Sequence, residues 1–148
     1  MNWIVYYLPK DFKGLKPPFK FYTTNGVLNV DVNTNLDKGT LIKALMHLYT
    51  DIITVKNFIW LNKRKIAIDP QLLFKGNNGH HQNSNMFVIR KRDCRVTIYV
   101  LPHNVIFEKD SNYRPIDINE IYLIFDTLSK FIDRLMTSKA ETRKIFTF

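Results

Sequence analysis

The sequence predicts an α+β domain in which an antiparallel sheet of hairpins has two helices packed on one face. Three observations lead there. Asn25-Gly26 sits between two alternating apolar runs, the strongest short-range hairpin signal, because a type I′ turn needs positive φ at both central residues. The elements follow one another as hairpin, helix, two further hairpins and a long helix, which suits antiparallel pairing. The last of them, beginning near Asp117, carries an apolar stripe broad enough to lie against a sheet.

Trp3 to Leu8 is an apolar run ended by Pro9, Lys10 and Asp11. It is too short for a membrane span and has no basic segment before it, so it reads as an edge strand. Pro17 and Pro18 separate it from the hairpin of Phe19 to Thr24 and Val27 to Val32. Asp37 or Thr40 can cap a helix starting near Leu41, where Leu41, Leu45, Leu48, Tyr49 and Ile52 recur at helical spacing. Lys43, His47 and Asp51 then fall on its wet face. Val55 to Leu61 and Lys65 to Asp69 read as a second hairpin with Asn62-Lys63-Arg64 at its tip.

Residues 70 to 85 are polar and glycine-containing, a connection or a loop that orders on binding. Met86 to Lys91 and Arg95 to Leu101 form the third pair of strands across Arg92-Asp93-Cys94, and Val105 to Glu108 adds a short strand beyond Pro102. Phe87, Ile89, Val96, Ile98 and Val100 alternate at the strand period and face a core, which puts Arg90, Arg92, Arg95 and Thr97 on or near the other side. Asp117 caps the final helix, with Glu120 three residues on as the reciprocal partner of a capping box. Ile121, Phe125, Leu128, Ile132 and Leu135 make its stripe, widened by Ile124, Phe131 and Met136. The alternating Arg143 to Phe148 suits a closing strand or a tail that docks on a partner.

A length of 148 residues and an apolar content of 45% fit one globular domain over residues 1–148 with a single core. The lone Cys94 cannot close an internal disulfide, and the absence of an Asn-x-Ser/Thr sequon adds to an expectation of an intracellular protein of cytoplasm or nucleus.

Charge is the main functional signal. Fifteen lysines and seven arginines face only three glutamates, Glu108, Glu120 and Glu141, for a net charge of +9. The many asparagines and isoleucines suggest an AT-rich, viral or phage-like genome, which would supply lysine codons. Glutamate codons are equally AT-rich, so their scarcity points to a physical requirement. Such an excess attracts polyanions. The expected function is a small basic non-enzymatic protein that contacts nucleic acid, DNA or RNA, through phosphate with little sequence specificity. The alternative is a structural or interaction protein, a viral-type assembly subunit or an inhibitor of a host protein, that self-associates or binds an acidic protein.

The expected contact residues are Lys63, Arg64 and Lys65 at one tip and Arg90, Lys91, Arg92 and Arg95 at another. Arginine's planar fork suits phosphate oxygens and lysine acts as a point charge. Lys10, Lys13, Lys16 and Lys20 form a further group before the first hairpin. Tyr22 and Tyr99 are the expected base-stacking platforms among the aromatics that interleave with these charges. The competing explanation is that loop tips carry Lys to remain soluble and to block edge pairing.

Catalytic motifs are absent: there is no Gly-rich phosphate loop, no His-Glu-x-x-His, no Gly-x-Ser-x-Gly and no zinc-type cysteine pair. No cofactor and no metal are expected. His80 and His81 could share a metal only from a loop, since adjacent residues on a strand point to opposite faces. Cys94 has basic neighbours that would favour a thiolate, but Asp93 offsets them and no base is paired with it in sequence, so it reads as an ordinary turn cysteine.

Overall fold

The computed structural model describes residues 2–12, 16–68, 83–109 and 112–137. Their order is β1 (Ile4–Leu8), a 3-10 turn (Lys10–Phe12), β2 (Phe19–Thr24), β3 (Val27–Val32), α1 (Lys38–Leu61), α2 (Lys63–Ile68), β4 (Asn85–Lys91), β5 (Cys94–Leu101), β6 (Asn104–Lys109) and α3 (Ile118–Thr137). The six strands form one antiparallel sheet in the order β3-β2-β1-β4-β5-β6. This is the α+β architecture that the element order implies. His80, His81 and the Arg143 to Phe148 segment lie outside the described residues.

Asn25 at φ 51° and Gly26 at φ 78° make the turn between β2 and β3. The strand period then sorts the side chains into two faces. Val5, Tyr7, Phe19, Phe21, Phe87, Ile89, Val96, Ile98 and Phe107 are buried on the inner face. Both long helices cover it. The Phe125 and Phe131 rings of α3 meet Phe87 and Phe21 edge-on at centroid distances of 5.0 and 6.0 Å, and Phe58 of α1 stacks on Phe107 at 5.9 Å.

Asp37 caps α1, its Oδ1 accepting the Thr40 backbone N–H at 2.8 Å. Asp117 caps α3 by accepting the Asn119 N–H at 2.8 Å. Glu120 does not complete a capping box. Its carboxylate takes the Lys91 ammonium at 2.5 Å instead, tying the start of α3 to the end of β4.

Three expectations are corrected. Val55 to Leu61 is the last part of α1, and Lys63 to Ile68 is a short helix, so no hairpin stands there. Val55 and Ile59 extend the buried stripe of Leu41, Leu48 and Ile52, and burial of that stripe outweighs the strand preference of Ile52-Ile53-Thr54-Val55. Trp3 to Leu8 gives the central strand and not an edge, which suits a segment apolar on both faces. Asp51 lies on the buried side of α1, only 6% exposed.

Candidate nucleic-acid interface

Among the described residues, no helix lies on the outer face of the sheet. Its side chains follow from the register: Ile4, Tyr6 and Leu8 on β1; Lys20 and Tyr22 on β2; Met86, Val88 and Arg90 on β4; Arg95, Thr97 and Tyr99 on β5. One cross-strand row reads Asn29, Tyr22, Ile4, Arg90, Arg95, and the next reads Asp31, Lys20, Tyr6, Val88, Thr97. β1 thus carries Ile4 and Tyr6 between cations contributed by β2 and β4.

A groove of about 810 Å³ opens at the end of the sheet where β1 begins and β4 ends, lined chiefly by Ile4, Lys20, Tyr22, Arg90 and Arg92 together with Trp3. None of its lining residues is acidic. Lys20 extends between two tyrosines, its Nζ 5.3 Å from the Tyr22 ring centre and 5.9 Å from that of Tyr6, contacts that attract the ammonium to the ring faces. Tyr22 also donates a long hydrogen bond of 3.4 Å to Asp31. Among the described residues, Lys20, Arg90 and Arg92 form no ion pair.

Arg90 and Arg95 stand directly opposite each other on adjacent strands, so two guanidinium groups share one cross-strand row. Arg92 adopts φ 49°, left-handed backbone that L-residues with a Cβ rarely occupy. It sits in the two-residue turn between Lys91 and Cys94, which presents its guanidinium at the rim of the groove.

The remaining expected residues are distributed differently. Lys91 also lines the groove, but its strand position faces inward and its charge is engaged by Glu120. Arg95 lies 6.0 Å from the Tyr113 ring, and its backbone N–H donates to the Arg114 carbonyl at 3.3 Å. Lys63, Arg64 and Lys65 belong to α2, on the helix side, where Lys63 lies over the exposed Trp60 ring at 5.3 Å. Lys63 borders a pocket with Ile118 and Tyr122 of α3, so it shares an end of the molecule with Lys91 and Glu120 but not the sheet face. Tyr99 is half-buried on the outer face, and its hydroxyl donates to Glu108. Burial, then the Glu108 charge, raises its pKa above the usual phenol value. That engagement makes Tyr99 a less open platform than Tyr22.

Lys20 lines the groove but is not among the expected contact residues. Lys20 was grouped with Lys10, Lys13 and Lys16 by proximity in sequence, but the signal that places it is alternation along β2, where Lys20 and Tyr22 share a face. Cys94 is half-buried at the start of β5. Burial, followed by the Asp93 carboxylate, raises its thiol pKa, the opposite of what a nucleophile needs. No group of three or more His, Cys, Asp or Glu side chains capable of holding a metal occurs among the described residues. No described helix is long and apolar enough to cross a membrane. No family model, curated protein or solved structure matches the chain.

Proposed function

We propose that the protein binds the phosphate backbone of nucleic acid in the groove formed by Lys20, Tyr22, Arg90 and Arg92, with little dependence on base sequence. The observation that carries this reading is the gathering of Lys20, Arg90 and Arg92 around a groove with no acidic lining residue, beside an aromatic ring and on a sheet face that no described helix covers. Arg90 and Arg92 supply planar guanidinium forks for phosphate oxygens, and Lys20 supplies a point charge already steered by two rings. Arg95, opposite Arg90, extends the positive row. Tyr22 offers a π-face to a base lifted from a single strand. The left-handed backbone of Arg92 fits the same reading, because a phosphate contact made by its guanidinium offsets that cost.

The test is the salt dependence of binding to a fluorescent single-stranded oligonucleotide. If Lys20, Arg90, Arg92 and Arg95 each displace one counterion, log K falls with log salt at a slope of about −3, roughly a fifty-fold loss between about 50 and about 200 mM salt. No binding at low salt, or a flat response, overturns the proposal.

A second reading rests on a different part of the same face. The row Leu8, Met86, Tyr99, Ile106 is apolar apart from one hydroxyl, and Leu101 lies beside it. A second copy of the chain or another protein's sheet could cover that half. Sedimentation velocity separates the two: concentration-dependent dimerisation that Ile106→Asp abolishes favours association, and a monomer at every concentration excludes self-association.

A further inference from the structure

At the opposite end of β1 and β4 lies a second recess, a cleft of about 320 Å³ whose walls include Lys10, His47, Thr50, Asp51, Thr54 and Asn85. Asp51 is its least expected member, a carboxylate set among the apolar positions Leu48, Ile52 and Val55 of α1. A buried carboxylate is costly unless its lone pairs are met. Two donors meet some of them: the Tyr7 hydroxyl at 2.5 Å and the Asn85 side-chain amide at 2.9 Å. Asn85 is itself held by the Lys10 backbone N–H, which donates to its Oδ1 at 2.8 Å. Both donors reach the same oxygen, Oδ2. Oδ1 accepts no hydrogen bond from a described residue and is not sealed from solvent, so half of a carboxylate that is otherwise buried remains available to the cleft.

We propose that this cleft is a binding site for a small ligand bearing a cationic N–H group, an alkylammonium or a guanidinium, held by Oδ1 of Asp51. The ligand supplies what the carboxylate lacks, a charged donor on its unpartnered side, while Tyr7 and Asn85 fix the other oxygen in place. Thr50 and Thr54 line the same wall and offer hydroxyls to remaining N–H groups, although in the unliganded protein both donate back along the helix, to Met46 and Thr50 carbonyls respectively. The volume lies at the low end of the range for small-molecule sites. Burial holds the Asp51 pKa above the usual carboxylate value, opposed by the hydrogen bonds from Tyr7 and Asn85 and by the charge of His47. A bound cation favours the ionised form, so affinity falls as pH drops through the raised Asp51 pKa. The groups facing Asp51 are Tyr7 from β1, Asn85 from β4, His47 from its own helix, and Lys10 and Asp11 at the cleft wall.

The test uses methylguanidinium and ethylammonium as probes, with propanol as the neutral control, followed in ¹H–¹⁵N spectra at the Asn85 side-chain amide. The expected result is a saturable shift with at least one cation and none with propanol, its affinity reduced about tenfold or more in Asp51→Asn, as expected for loss of a charge-assisted hydrogen bond. His47→Lys, at an exposed rim position, provides a second variant that leaves the core alone and should weaken the cation several-fold. No saturable shift with either cation, an equal response to propanol, or unchanged affinity in both variants overturns the proposal.

Discussion

Replacing Arg92 with glycine should move stability and binding in opposite directions. Arg92 holds φ 49° in the turn between β4 and β5, and left-handed backbone costs a residue with a Cβ about 1–2 kcal/mol. Glycine removes that cost but loses about 0.5–1 kcal/mol through its freer unfolded chain, leaving a net gain of about 0.5–1 kcal/mol. With an unfolding entropy of about 2.1 cal/mol/K per residue, the corresponding rise in Tm is about 2–3 °C. The same substitution removes a guanidinium from the groove, so the slope of log K against log salt should shrink by about 0.7 for a single strand. Differential scanning calorimetry and fluorescence anisotropy on one preparation read both quantities. A fall in Tm would refute the strain argument, and a higher Tm with an unchanged salt slope would remove Arg92 from the contact surface.

Other expectations follow from the core, the ion pairs and the buried carboxylate. Phe87→Ala deletes a fully buried ring packed on Tyr7 at 4.9 Å and Phe125 at 5.0 Å, and should lower the urea-unfolding free energy by about 3–5 kcal/mol. Lys91→Ala should cost about 1–3 kcal/mol in the same assay, because it strands the Glu120 carboxylate, yet leave the salt slope of binding unchanged since that ammonium is already engaged. Asp51→Asn should gain stability relative to the parent as pH rises. The folded carboxyl has a raised pKa, so the folded state holds its proton longer than the unfolded chain, and stability present below the unfolded value of about 3.9 is lost as pH climbs through the folded pKa. Thermal melts of both proteins from acid to neutral pH check this; parallel curves would contradict it.

Local signals were readable where a residue's neighbours in sequence are also its neighbours in space. Asn25-Gly26 dictates its turn by backbone sterics alone, and Asp37 and Asp117 cap helices through hydrogen bonds two or three residues away. The run from Ile52 to Ile59 was harder, because β-branched residues favour a strand locally while Val55 and Ile59 continue a helical stripe whose burial depends on the distant sheet. Sheet order was not readable. β1 pairs with β2 and with β4, so the groove joins Lys20 to Arg90 across Ile4 and Tyr6, a juxtaposition that no window of sequence contains. The charge excess pointed to a cationic surface, and alternation put Arg90 and Arg95 on the outer side, but only the fold distinguishes Arg92, in no ion pair among the described residues, from Lys91, which lines the same groove with its ammonium engaged by Glu120. The burial of Asp51 is not legible in sequence, where a carboxylate reads as solvent-facing, because the partners that let it stay buried, Tyr7 and Asn85, come from two other strands.

The most direct measurement compares two triple variants that lose the same charge from different faces. Lys20→Ala/Arg90→Ala/Arg92→Ala empties the groove of three cations, and Lys38→Ala/Lys43→Ala/Arg134→Ala removes as many from the helix side. With both folded by circular dichroism, the groove variant should retain a salt slope of only about −0.7 for a single-stranded oligonucleotide, while the helix-side variant keeps the parent's value near −3. Equal losses in the two would mean that the positive charge acts as a diffuse coat, and the groove would have no special part in binding.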